Sequence, residues 1–133
     1  MVLKTKPMSA EPSLSDGLRI CVMRDARIYN RHLTSFKNLY DRHMYDIHLK
    51  SLAPPTKLKD DYQQGRIFWE EYVPVFRKEV LETQTELIKA IAYLAVKGNI
   101  TLLCSEKTPE ECHRRLLAEE CKKYQPSLET IIE

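Results

Sequence analysis

Ile100-Thr101-Leu102-Leu103-Cys104-Ser105-Glu106-Lys107-Thr108-Pro109-Glu110-Glu111-Cys112-His113-Arg114 reads as a buried strand, a tight loop and the start of a helix. Residues 100–104 are apolar or β-branched with little polar alternation, the pattern of a strand covered on both faces, as in a parallel sheet. Thr108-Pro109-Glu110-Glu111 sets Thr at a cap, Pro at the first helical position and Glu at the third, which predicts a helix from there to about Lys123. Tyr124-Gln125-Pro126 then turns the chain into a last strand over 128–132. Strand, helix and strand make a C-terminal βαβ unit, and the fold class that follows is α/β, a mostly parallel sheet flanked by helices.

Upstream, the clearest helix is 85–97, where Leu87, Ile88, Ile91, Ala92, Leu94 and Ala95 form an apolar stripe and Gly98 stands at the end. A helix over 67–81 carries Phe68, Tyr72, Val75, Phe76 and Val80 near helical spacing, with Pro74 predicting a kink or an early break. A shorter one over 56–64 ends at Gly65, after an extended segment, 46–55, that stops at Pro54-Pro55. Leu18-Arg19-Ile20-Cys21-Val22-Met23 is a second buried strand, ending at Arg24-Asp25, and residues 2–5 suit a short edge strand. Between residues 26 and 48 no period is legible, although Thr34 would cap a helix over 35–43.

The chain has 133 residues, 43% hydrophobic and 30% charged, which suits one soluble domain with a single core. No apolar run reaches the roughly 18 residues of a membrane span, and the N-terminus has no secretory pattern, so a cytoplasmic protein is expected. The 21 basic and 19 acidic residues leave a net charge of +2 and are well mixed, which makes nucleic acid an unlikely partner. Cys21, Cys104, Cys112 and Cys121 are expected as reduced thiols in that setting. Nothing in the residues points to an oligomeric state or to a particular cofactor.

The candidate site is the strand-to-helix junction, because ligands of open α/β sheets gather at the carboxyl ends of strands, where helix N-termini converge. Cys112 near a helix start is the expected thiolate and His113 its orienting or proton-transfer group. One geometric objection stands, since neighbours on a helix point about 100° apart. On a helical wheel His113 falls on the packed face, Cys112 at its edge and Arg114 toward the flank. Arg24 and Arg114 suit an anion, with Asp25, Cys104 and Glu106 as further ligand-binding residues. No metal is assigned: Cys104, Cys112 and His113 are short of the four ligands of a structural zinc site unless His43 or His48 completes them. A Cys104–Cys112 disulfide is a further option across so short a loop. The alternative to a small anionic ligand and thiol chemistry is a non-catalytic module in which Cys-His-Arg locks helix to loop. Trp69 reads as packing, and the Tyr72 hydroxyl is long enough to reach the site although nothing local requires it.

The blocks Leu52-Ala53-Pro54-Pro55, Gly65-Arg66-Ile67-Phe68-Trp69-Glu70-Glu71-Tyr72, Lys97-Gly98-Asn99-Ile100-Thr101-Leu102-Leu103-Cys104-Ser105-Glu106 and Glu111-Cys112-His113-Arg114 resemble the bacterial and archaeal family called domain of unknown function 488. The likeness covers about Leu18 to Tyr124, and Arg24 stands where that family tends to place an arginine after an early strand. It implies a compact α/β fold and supports the junction as the site, but it brings no reaction with it. Met23 and the run Ala26-Arg27-Ile28-Tyr29 depart from the family's usual Asp before the arginine and Gly-rich continuation.

Overall fold

The computed structural model describes residues 1–24, 45–106 and 108–133. Five strands, β1 (Val2–Pro7), β2 (Leu18–Cys21), β3 (Ile47–His48), β4 (Ile100–Cys104) and β5 (Glu129–Ile132), form one sheet in the order β3-β2-β4-β1-β5. Every pairing is parallel. The described helices are α1 (Thr56–Gln63), α2 (Trp69–Phe76), α3 (Thr85–Lys97) and α4 (His113–Tyr124). This is a single α/β domain, as the sequence predicts. The 35–43 helix lies outside the described residues.

β4 is buried along its whole length because it has a strand on each side and helices packed against it. The first strand is a correction to expectation: β1 is interior, paired to both β4 and β5, and the edges are β3 and β5. Its Leu3 and Thr5 are buried in alternation with Lys4 and Lys6, and the Thr5 hydroxyl receives the Glu133 N–H at 3.0 Å. The βαβ unit therefore straddles a strand, with β4 and β5 flanking β1.

Lys4, Thr101 and Arg19 stand in register across β1, β4 and β2. Asp16, fully buried in a single 3-10 turn (Leu14–Asp16), serves this row. Its carboxylate accepts from Lys6 Nζ at 3.1 Å, from the Ser13 N–H at 3.0 Å and from Arg19, while Thr101 donates to its carbonyl at 2.8 Å. Burial opposes the charge, yet the Ser13 and Lys6 bonds prevail and hold the carboxyl down to about 2. The next residue, Gly17, has φ 62°, and a Cβ there would meet the Asn99 carbonyl oxygen at 1.9 Å, so no other residue fits.

The core lies between the sheet and α3 and α4, where Ile88, Ile91, Ala92 and Ala95 meet Leu116, Leu117, Ala118 and Cys121. Leu94, placed in the apolar stripe by sequence, is 51% exposed. α2 begins two residues later than expected because the Glu71 carboxylate accepts the Phe68 N–H at 3.1 Å and fixes the cap there. It runs through Pro74 to Phe76 instead of breaking, then widens into a π turn over Arg77–Leu81. Among the described residues no helix is long and apolar enough to cross a membrane.

Candidate functional site

The helix predicted to be capped by Thr108 and to begin at Pro109 begins at His113, four residues later. Residues 108–111 form bends and a turn, closed by the Cys112 N–H donating to the Pro109 carbonyl at 3.2 Å. Cys112 is the N-cap residue, in extended backbone with φ −137° and ψ 140°. Local capping chemistry lost to tertiary packing, because a helix starting at Pro109 would have turned Cys112 about 100° from His113. With Cys112 held just outside the helix, both side chains enter the core, and the objection raised by helical spacing disappears.

Cys104, at the carboxyl end of β4, completes the cluster. Cys104, Cys112 and His113 are 4%, 2% and 7% exposed, and their Sγ, Sγ and ring nitrogen atoms lie within 4.8 Å of one another. His113 Nε2 is 2.8 Å from the Val22 carbonyl, which only accepts, so the proton sits on Nε2. The Nδ1 lone pair then faces Cys104 Sγ at 3.7 Å and Cys112 Sγ at 4.0 Å. Phe76 holds the other flank of the ring, centroids 5.7 Å apart.

Arg114 does not point to the flank, as the helical wheel predicts. It is fully buried and directed back under the loop, with Nη1 donating to the Glu106 carbonyl at 2.8 Å and to Cys112 Sγ at 3.3 Å. Its Nε and Nη2 donate to the Glu133 carbonyl at 3.1 and 2.9 Å. A buried guanidinium satisfied in this way joins α4, the 104–112 loop and the end of β5.

The two thiols are driven apart. A hydrogen bond from Cys112 draws the Cys104 thiol below its ordinary range, and although burial opposes this, the Glu106 and Ser105 backbone and the Arg114 charge support the anion. Accepting that bond from Cys112 makes Cys104 raise its partner, and burial pushes Cys112 higher still. These directions favour the anion on Cys104, whereas the helix-start argument assigns the thiolate to Cys112. Burial raises Cys21 to about 11 and Cys121 to about 12, as expected for packed thiols away from any such partner.

Cys104, Cys112 and His113 line a cavity of about 340 Å³ at the carboxyl ends of β2 and β4. Arg24 lines it too, with Nε donating to the Pro54 carbonyl at 2.7 Å, as does Glu106. Asp25 lies outside the described residues, as does His43. His48 makes its own bond, Nε2 to the Met23 carbonyl at 2.6 Å, and among the described residues no fourth Cys, His or carboxylate joins the cluster as a metal donor set.

Sequence reasoning missed Lys59, Tyr62 and Glu111, which line the same cavity, and assigned Trp69 to packing alone. Trp69, Tyr72 and Phe76 follow the i, i+3, i+7 spacing of one helix face, a signal that reads equally as core. They stack in sequence, Trp69 on Tyr72 at 4.8 Å and Tyr72 on Phe76 at 5.8 Å, so that Trp69 and Tyr72 line the cavity and Phe76 backs them in the core. Tyr62 donates to the Glu111 carboxylate, and burial together with that acid pushes its hydroxyl up to about 12.

The family model DUF488-N3a, described as the active DUF488-N3 subclade, matches residues 3–125. The chain belongs to the DUF488 family. No curated protein matches it, and no solved structure does. The matched span takes in β1 to α4 and with them the residues of the junction.

Proposed function

We propose that this DUF488 protein is a thiol-dependent enzyme that binds a small anionic molecule in the junction cavity. The observation that carries this reading is the meeting of Cys104, Cys112 and an imidazole of fixed tautomer in the wall of a cavity of about 340 Å³, a size suited to small ligands. Cys104 is the nucleophile, Cys112 the hydrogen-bond donor to its sulfur, and His113 Nδ1 the proton acceptor beside both. Arg24 and Lys59 supply positive charge for the ligand's anionic group, and Glu106 and Glu111 are the polar groups that limit where it sits. Arg114 positions this machinery rather than touching the ligand, since its donors are committed to the Glu106 and Glu133 carbonyls and the Cys112 sulfur.

The same Arg114 bonds favour a second reading, in which Cys-His-Arg is a structural lock in a non-catalytic module. Competitive alkylation separates the two. With iodoacetate and iodoacetamide, the enzyme reading expects Cys104 to react at least about tenfold faster than Cys21 and Cys121 near neutral pH. It also expects the anionic reagent to gain relative to the neutral one, and Arg24→Gln to erase that gain. Uniformly slow reaction at all the cysteines would leave the lock as the better account.

A further inference from the structure

The three-atom cluster contains more than one nucleophile needs. A single reactive cysteine is served by one base and some positive charge, whereas here a second sulfur is turned into the same cavity, within 4.8 Å of the first. Cys112 reaches that position only because helix α4 starts late, leaving its residue in extended backbone at the helix entrance. The segment between the sulfurs is bends and turn in its described residues, so the approach from there to a bond of about 2 Å asks for loop adjustment rather than the unwinding of a helix.

Resting on the thiol reading above, we propose that Cys104 and Cys112 form a dithiol redox pair, with Cys104 attacking and Cys112 resolving, and that the substrate class is a small anionic disulfide. In the first step the Cys104 thiolate attacks one sulfur of the substrate RS–SR. A Cys104–SR mixed disulfide forms, the RS–SR bond breaks, and RS⁻ leaves. In the second step Cys112 passes its proton to His113 Nδ1 and its sulfur attacks Cys104 Sγ. A Cys104–Cys112 disulfide forms and the second RS⁻ leaves, taking up the proton from the imidazolium. The substrate has gained two electrons and the protein dithiol has lost two. A thiol reductant returns the pair to its starting state by the same exchange.

Each neighbour has a task in that sequence. His113 Nδ1 lies 3.7 Å from Cys104 Sγ, the nucleophile of the first step, and 4.0 Å from Cys112 Sγ, the proton donor of the second. Arg114 Nη1, 3.3 Å from Cys112 Sγ, favours the thiolate that the second step requires. Trp69 and Tyr72 line the path with aromatic surface, and Arg24 and Lys59 supply the charge that selects an anion.

The test is reaction of the whole reduced protein with dithiobis(nitrobenzoate), an anionic aromatic disulfide that releases a coloured thiolate at each exchange. The wild type should release a fast pair of equivalents and yield, by non-reducing peptide mapping, a Cys104–Cys112 cross-link two hydrogens lighter than the dithiol. Cys112→Ser should stop after a single fast equivalent with the adduct held on Cys104, and Cys104→Ser should lose the fast phase. A stable adduct on wild-type Cys104, or separate adducts on Cys104 and Cys112, would overturn the dithiol pair and leave the thiol reading standing. No fast reaction at Cys104 would overturn both. Because the mapping is done on the wild type, its result does not depend on the folding of any variant.

Discussion

The buried polar clusters around Asp16 and around Cys104 differ in what closes them. Around Asp16 every strong acceptor meets a donor: Lys4, Lys6, Arg19 and the Ser13 backbone surround the carboxylate. Around Cys104 the sulfurs and the His113 Nδ1 face one another at 3.7 and 4.0 Å, longer than strong hydrogen bonds, and they border a cavity. The first arrangement uses its polarity to fix strands and turn, while the second keeps a nucleophile, a proton acceptor and a second thiol available to whatever enters. Buried polarity alone therefore does not mark a site; nucleophilic and proton-accepting groups that border a cavity do.

On that distinction, the largest stability loss should come from the closed cluster. Asp16→Ala removes the anion that three cations share and strands their charge against the sheet. We expect a loss of about 3–5 kcal/mol in urea unfolding, the range for breaking a buried ion pair from one side. A loss under about 1 kcal/mol would mean that the cations reach water without it and that the cluster is not closed.

Arg114→Ala probes the member of the open cluster that behaves like the closed one. The Glu106 carbonyl loses its Arg114 donor and the Glu133 carbonyl keeps only the Thr5 hydroxyl, so the expected cost is about 2–3 kcal/mol. It should also slow Cys104 alkylation, because the Arg114 charge helps lower that thiol. Lost stability with unchanged alkylation would confine Arg114 to the lock.

The acid side gives a smaller effect. Asp16 is held at about 2 in the fold, below the ordinary carboxylate value of roughly 3.9, so its contribution is fully present above about pH 4 and is lost as pH falls toward 2. The size is about 2 kcal/mol, read as the difference between wild type and Asp16→Asn from about pH 5 to about pH 2. A difference independent of pH would show that the carboxylate's charge is not what the cluster uses.

What the sequence made legible divides along the same line. The helix over 85–97, the strand 100–104 and the parallel class follow from periodicity and apolar runs, which report burial directly. The junction was legible as a place because thiols, imidazole and guanidinium cluster there in sequence. Its inner arrangement was not, because it depends on which side chain the core draws in. Arg114 is satisfied by a carbonyl beyond β5, and Cys112 leaves the helix to meet Cys104, contacts that no local pattern encodes. Lys59 and Tyr62, on α1, meet Glu111 from a segment far away in sequence, and β1 became interior only through the crossover of β5.

The smallest stability effect should carry the largest change in chemistry. Cys104→Ser replaces a sulfur by a hydroxyl that still accepts from the Ser105 and Glu106 backbone and from Cys112, so unfolding should shift by no more than about 1 kcal/mol. The fast alkylation phase should nevertheless vanish, because an alcohol offers no anion near neutral pH. Cys112, relieved of the Cys104 anion that raises it, should then react faster than it does in the wild type. That rise is the sharper readout: a structural pair of packed thiols would leave Cys112 as slow as before, whereas a coupled pair hands the charge to the sulfur that remains. A large stability loss with no gain at Cys112 would place this cluster beside Asp16, as part of the frame.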